Sequence, residues 1–378
     1  MIETISQMPI SPWKDPEIGY YGQLNQASGI SKIVDKPYIL ASNVLGSKTG
    51  HQQDILEQMD YLNKAGIKYD DLWLDQDIQN IKYTELIIQQ GIKEGWIEHQ
   101  KRETFLCPCG KTEFLNTEEN LHPSQERTTY QIDGTSIVCK LCKGQAILSE
   151  RDVLVMKLPN MSVPYVDVYP KYAKSEIEQV LKFFSGKECL ISRNSQKLNS
   201  VRVDGSEYWI DMDINWLPFM HNLQVNNNYK IDILLTGNRT LKQTALALMF
   251  NKILGAQLPS LIISTPHIKV DFGEKPKLKA NYFLKQNGSD VTKIFLAQSL
   301  GANDKTVIFE SKGIYWISKS LEGYVRHEMI PEIIPNLKDF LNPKNKEILG
   351  NALKKLRSHK EDEITNYEKT LLWAFTED

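Results

Sequence analysis

Four cysteines, Cys107, Cys109, Cys139 and Cys142, form two close pairs separated by about thirty residues. Two such pairs bring four thiolates to one tetrahedral ion, and zinc is the usual occupant when every donor is sulfur. Cys107-Pro108-Cys109-Gly110 and Cys139-Lys140-Leu141-Cys142-Lys143-Gly144 put proline and glycine where backbone must wrap a metal. The first pair encloses one residue rather than two, so an irregular knuckle is expected. A site filled by four sulfurs keeps no open position, which makes its ion structural. Disulfides are the competing use of these thiols. They need an oxidising compartment, and the N-terminus carries no signal-peptide pattern. Cys189 stands apart and reads as a buried apolar residue.

The elements around this cluster follow from hydrophobic pattern. Tyr38-Ile39-Leu40-Ala41 is a short apolar run with the character of a buried strand, followed by a polar turn over residues 42–50. Ile55, Met59 and Leu62 recur at helical spacing until Gly66, and Asp71-Leu72-Trp73-Leu74 is a second strand. Strand, turn, helix and strand make the βαβ unit of a parallel sheet. A helix is expected over residues 84–96. Strands are expected at residues 207–211, 231–235 and 261–263, and helices at 176–184 and 240–254. The pattern therefore describes an α/β domain interrupted by the cysteine module. Residues 1–36, with three prolines and several aromatics, read as an irregular extension. Residues from 289 onward read as helical and end in a charged bundle.

The 378 residues and 41% hydrophobic content are enough for two or three domains with a substantial core. The near-balanced charge, −2 overall, argues against a chain that coats nucleic acid. No apolar run reaches the length that spans a bilayer, so no membrane partner is expected and the cytoplasm is the default location.

The order of segments resembles class I aminoacyl-tRNA synthetases, in the methionyl and valyl/isoleucyl/leucyl branch, over residues 37–310. Ser42-Asn43 through Thr49-Gly50-His51 is similar to the Asn-Gly…His-Ile-Gly-His signature. Glu94-Gly95-Trp96-Ile97 running into Cys107 resembles the family stretch that enters the metal module, and Ile191-Ser192-Arg193 the Ile-Ser-Arg that follows it. Tyr208-Trp209-Ile210-Asp211 to Phe219, Asp232 to Gly237, and Gly288 to Lys293 resemble three further family segments in the family's order. The resemblance implies a Rossmann-like catalytic domain split by a zinc-binding insertion, with a C-terminal helical bundle. The boundaries it implies are 1–36, 37–103, 104–150, 151–288 and 289–378. The departures are equally clear. The signature reads Lys48-Thr49-Gly50-His51, the Lys-Met-Ser-Lys-Ser loop is reduced to Lys275-Pro276-Lys277-Leu278-Lys279, and Gly237-Asn238-Arg239 lacks the family's acid. The chain resembles a truncated paralog with degenerate signatures.

The resemblance implies activation of an amino acid by ATP, with Mg2+, to an aminoacyl-adenylate. Such a catalyst positions the reactants and neutralises phosphate charge. Lys48, His51, Lys277 and Lys279 are the implied catalytic residues. Gly50, His51, Gly237, Asn238 and Lys275 would contact the nucleotide, Gly50 at the start of a helix that favours phosphate. Leu40, Asp75, Trp209, Asp211 and Asp213 would form the amino-acid pocket, an acid holding the substrate ammonium. Asp77 and His221 are further candidates. Each has a plain alternative: lysine-rich loops are commonly only solvated, and aromatics commonly pack in cores. The acceptor would be tRNA or a carrier-type molecule. The competing function is a catalytically inactive paralog that binds amino acid, nucleotide or tRNA in a regulatory role.

Overall fold

A computed structural model describes residues 1–12, 16–45, 52–109, 113–117, 130–133, 136–140, 142–194, 200–271, 279–322, 331, 337–358 and 360–376. The chain opens with strand β1 (Ile2–Gln7) and helix α1 (Gly22–Val34), then β2 (Tyr38–Ser42), α2 (Gln52–Lys64), β3 (Asp71–Leu74) and α3 (Ile78–Glu94). An antiparallel excursion follows through β4 (Ile97–Leu106), β5 (Glu113–Leu115), β6 (Tyr130–Asp133), β7 (Ser136–Cys139) and β8 (Ile147–Lys157). β9 (Asp167–Tyr169) and α4 (Lys171–Phe184) lead to β10 (Glu188–Leu190) and β11 (Ser192–Arg193). Next come β12 (Ser200–Val203), β13 (Ser206–Ile210), α5 (Met212–Trp216) and α6 (Phe219–Asn227). The parallel pattern resumes with β14 (Tyr229–Gly237), α7 (Leu241–Ile253) and β15 (Leu261–Thr265). β16 (His267–Asp271), α8 (Ala280–Asn287), α9 (Ser289–Ala297), β17 (Thr306–Glu310) and α10 (Ser311–Leu321) follow. Helices α11 (Leu337–Phe340), α12 (Asn345–Arg357) and α13 (Asn366–Ala374) come last.

Six parallel strands form the central sheet in the order β3-β2-β1-β14-β15-β9. The expected βαβ unit is present: β2 and β3 pair in parallel, Leu40 opposite Leu72. Every residue of β2 is buried, which is why it reads as a continuous apolar run. The antiparallel excursion builds a second sheet, β10-β8-β4-β5, and residues 206–210 sit in a third, β11-β13-β12. No described helix is long and apolar enough to cross a membrane.

One expectation is corrected. Residues 1–36 are not irregular: they contain a central strand and a full helix. β1 lies between β2 and β14 and its last four residues are buried, yet Ile5 is the only aliphatic residue among those four. Its buried Thr4, Ser6 and Gln7 fit because each side chain donates to a strand carbonyl. Thr4 reaches Lys230 at 3.2 Å, Ser6 reaches Ile39 at 2.9 Å and Gln7 reaches Ala41 at 2.7 Å. Donors bonded in this way escape the usual cost of burial, although Gln7 Oε1 is buried without a partner among the described residues.

The C-terminal helical bundle is present, with β17 interrupting the helical run to pair with β16. Its helices share one apolar cluster with α1 and the sheet, through Phe340, Leu349, Leu371 and Phe375. Gly29 of α1 lies against Phe375, where a Cβ would fall 2.1 Å from the ring. Both sites are buried and the ring has no room to yield. Gly29→Ala should therefore lower stability by about 1–3 kcal/mol through overpacking, read as a shifted urea midpoint. An unchanged midpoint would show that α13 can retreat from α1.

Candidate functional site

The sheet reverses its direction of growth between β1 and β14: β2 and β3 extend one side, β15 and β9 the other. Open α/β sheets leave a crevice at such a switch point, beyond the C-terminal ends of the strands. Here the crevice is a cleft of about 850 Å³. Its walls come from the segments after β1 (Met8 to Ser11), after β14 (Gly237 to Thr240) and around the β15–β16 junction (Thr265 to Lys269), with Trp216 and Gln243 behind.

The loop from β1 ends in Pro16-Glu17-Ile18-Gly19-Tyr20, all lining the cleft, and a 3₁₀ turn at Ile18–Tyr21 runs directly into α1. This segment is pinned from two sides. Glu17 bridges to Lys279 through the backbone, and Ala280 N–H donates to Pro16 at 2.8 Å. Gly19 is packed so closely against β16 that a Cβ would lie 2.3 Å from the Ile268 carbonyl oxygen. The Tyr20 hydroxyl donates to the Ser11 carbonyl, and burial pushes its ionisation well above the usual tyrosine range. Across the cleft, Thr236, Thr240 and Thr244 interlock their hydroxyls at 3.0 and 2.6 Å, holding the start of α7 against the end of β14. Among the described residues Glu17 is the acidic member of the lining, which also includes Arg239, His267 and Lys269.

Sequence reasoning expected Gly237 and Asn238 at a nucleotide, and both line this cleft. Asn238 is also a brace, its N–H donating to Thr265 at 3.0 Å and its amide to the Lys305 carbonyl. Lys279 is exposed beside Glu17. Lys48, Gly50, His51, Lys275 and Lys277 lie outside the described residues, as does the side chain of Asp213. The remaining pocket candidates are placed elsewhere. Leu40 is in the core beneath the sheet. Trp209 is half-buried on β13. Asp211 is ion-paired with Arg193. Asp75, at the end of β3, accepts from Val44 N–H at 2.7 Å and Leu45 N–H at 3.2 Å. Burial pushes its carboxyl up to about 7, so it serves as a loop anchor. Asp77 precedes α3 and is raised by burial, and His221 shares a hydrogen bond with Tyr83 on the far side of α3.

The cleft residues after β1 escaped sequence reasoning because β1 itself did. The available signal was Pro16 followed by Ile18-Gly19, a proline-led turn running into a helix.

The four cysteines converge. Their Sγ atoms all lie within 4.8 Å of one another, with Cys107–Cys109 at 3.2 Å, Cys107–Cys142 at 3.1 Å and Cys109–Cys139 at 3.8 Å. Tetrahedral Zn–S bonds of about 2.3 Å would set S···S separations of about 3.8 Å, so the cluster needs only slight opening. None of the four is disulfide-bonded. The second knuckle has the expected shape. Lys143 N–H and Cys139 N–H close the turn at 2.9 Å each, Lys143 adopts a left-handed φ of 60°, and Gly144 N–H points at Cys142 Sγ from 3.4 Å. These four residues could hold a metal ion.

The sheet order, the switch-point cleft and the cysteine excursion between the two halves define a class I aminoacyl-tRNA synthetase-like fold. Among solved structures, Mycobacterium tuberculosis methionyl-tRNA synthetase in complex with methionyl-adenylate matches with a TM-score of 0.66 at 10% identity, over 99% of this chain and 81% of that one. A second structure bound by methionyl-adenylate gives 0.66 at 11%, over 99% and 82%, and the apo form 0.61 at 11%, over 99% and 80%. At this identity the likeness is one of fold. No protein-family model matches the chain, and no curated protein matches it in sequence.

Two outcomes follow. Cys139→Ser should lose about one equivalent of bound metal and loosen the module, since metal binding here is folding energy, as read by elemental analysis and limited proteolysis. Unchanged metal content would remove Cys139 from the ligand set. For Asp75, the unfolded chain releases the proton near the ordinary value of 3.8 while the native state holds it to about 7. The native state binds more protons across that window, so Asp75 makes stability fall as pH rises from about 4 to about 7 and stay level above. Asp75→Asn should flatten that decline, measured as urea midpoints at several pH values. An unaltered slope would assign the decline to other groups.

Proposed function

We propose that this chain is a catalytically silent synthetase-like protein that holds an amino acid and a nucleotide in the switch-point cleft without joining them. The observation that carries this reading is the segment Glu17-Ile18-Gly19-Tyr20 at the start of the first helix. We align the family's His-Ile-Gly-His signature with this segment rather than with Lys48-Thr49-Gly50-His51. It keeps the central Ile-Gly and replaces both imidazoles. A carboxylate at Glu17 cannot donate a hydrogen bond to phosphate and repels its charge. A phenol at Tyr20, already donating to Ser11, is not aimed at a ligand.

The ligand class rests on support of two kinds: the cleft's size and location, and the fold's likeness to structures bound by methionyl-adenylate. The four cysteines would hold structural Zn2+, because an all-thiolate tetrahedral set suits that ion and leaves no open position. Cytoplasmic residence agrees with thiols kept reduced. Partners on this reading are the amino acid, ATP and, as a regulatory target, tRNA or a carrier-type acceptor.

A second reading keeps the activation chemistry. It is favoured by the exposed cations Arg239 and Lys269 on the cleft wall, with Lys279 beside Glu17 and Lys275 and Lys277 just before it in sequence. Several cations and Mg2+ could neutralise a triphosphate where the imidazoles are lost.

Amino-acid-dependent ATP–pyrophosphate exchange on the zinc-loaded protein, screened over the standard amino acids, separates the two. The silent reading expects no exchange above the protein-free background while calorimetry detects ATP or amino-acid binding. Exchange with any one amino acid would establish activation and name the substrate. Absence of both exchange and binding would overturn the ligand assignment itself.

A further inference from the structure

We infer that Glu113 is a positioning residue that couples the four-cysteine module to the wall of the switch-point cleft. β4 ends at Leu106, the residue before Cys107, and Leu106 pairs with Glu113 on one side and Ile147 on the other. Glu113 therefore stands at the root of the loop that carries the first cysteine pair. Its side chain is 0% exposed. Oε1 accepts from Arg151 at 2.7 Å and Thr104 at 3.1 Å, Oε2 accepts from Asn194 N–H at 2.7 Å, and its carbonyl oxygen accepts from Arg193 at 2.7 Å. Arg193 reaches on to Asp211 in a second ion pair, also largely buried.

Two acids and two arginines thus form two charge-balanced pairs joined through the Glu113 carbonyl, and loss of Arg151 or Arg193 would strand a buried carboxylate. Asp211 carries the set forward. Its carbonyl accepts from Ile214 N–H at 2.9 Å and from the Asn215 amide at 3.4 Å, which starts helix α5. That helix ends at Trp216, which lines both the cleft and a small cavity of about 50 Å³ that also touches Glu113, Arg193 and Asp211. The path from the cysteines to the cleft is then four contacts long: module root to Glu113, Glu113 to the Arg193-Asn194 segment through its carbonyl and its carboxylate, Arg193 to Asp211, and Asp211 to the helix bearing Trp216. A metal that closes the cysteine loops fixes the root. Losing it frees Glu113 to move, and Arg193 must re-pair.

The metal-binding step rests on the zinc reading above, and the ligand measurement rests on the proposed cleft function. The exchange measurement depends on no ligand. In the full-length zinc-loaded protein, Glu113→Gln should retain one zinc equivalent while backbone amides of residues 211–217 exchange about tenfold faster. Its affinity for ATP should fall by about the same factor. Chelating zinc from the unmodified protein should speed exchange in residues 211–217 alike, and chelating it from Glu113→Gln should add nothing further, because one link acts once. A residue that merely stabilised the module would lower the global unfolding midpoint without this selective, non-additive change. Should Glu113→Gln fail to fold, Arg193→Lys keeps the charge but loses the forked contact and is read in the same way. Native exchange in zinc-loaded Glu113→Gln, or an equal rise on chelation in both proteins, would overturn the coupling. Failure of ATP to bind the unmodified protein would count against the proposed cleft function while the exchange result still decides the coupling.

Discussion

The pairing of β1 with β14 is the constraint on which the rest of the molecule depends. These two strands come from opposite ends of the α/β domain, Ile2 lying opposite Tyr229 and Gln7 opposite Leu235. Only when they meet does the sheet acquire its switch point, and only the switch point opens the cleft. The buried part of β1 carries polar side chains that bond to β14 through Thr4 and to β2 through Ser6 and Gln7, so register is set by donors finding carbonyls rather than by apolar bulk alone. A slip of one residue would turn Ser6 and Gln7 away from the carbonyls of Ile39 and Ala41 and leave both side chains buried without partners.

A second set of buried polar contacts does for the cysteine module what these do for the sheet. The module is an antiparallel excursion whose own apolar cluster is small, centred on Phe114, Tyr130 and Ile137. A cluster of that size is a weak anchor for so long an excursion. Four convergent thiols supply a closure that apolar area does not. The Glu113–Arg151 pair braces the module's own sheet, and Arg193 and Asn194, bonded to Glu113, join it to the small third sheet and the Arg193–Asp211 pair. Such pairs add little net stability when compared with well-packed apolar residues, but they fix orientation.

What the sequence discloses follows from how each element earns its burial. β2, β3, β15 and the helices α2, α4 and α7 carry their apolar residues at the expected period and were legible. The cysteine spacing disclosed a cluster that the fold does assemble. β1 was illegible because Thr4, Ser6 and Gln7 look solvated until their partners, which are distant in sequence, are known. With β1 missed, the first crossover was missed, and the earliest helix start legible in the sequence was the one near residues 48–51. Of the pocket candidates, Leu40 lies in the core and Asp75 accepts from the amides of Val44 and Leu45. Gly237 and Asn238 were found because β14 is strongly apolar and its end is marked by glycine.

The cleft's persistence is itself no argument for chemistry, because its walls are stability elements. Gly19 is required by the approach of Ile268, Thr236 and Thr240 by the junction of β14 and α7, and Asn238 by its hold on Thr265. All would be retained in a protein that never met a nucleotide. The informative side chains are those that line the cleft and make the smallest contribution to the fold. Arg239 and Lys269 are exposed there, and Glu17 faces the same space. A cleft lined by exposed cations and a carboxylate presents charge of both signs to whatever enters it. Substitution at these positions, rather than at the bracing ones, is therefore what separates a ligand's charge from the stability of the fold.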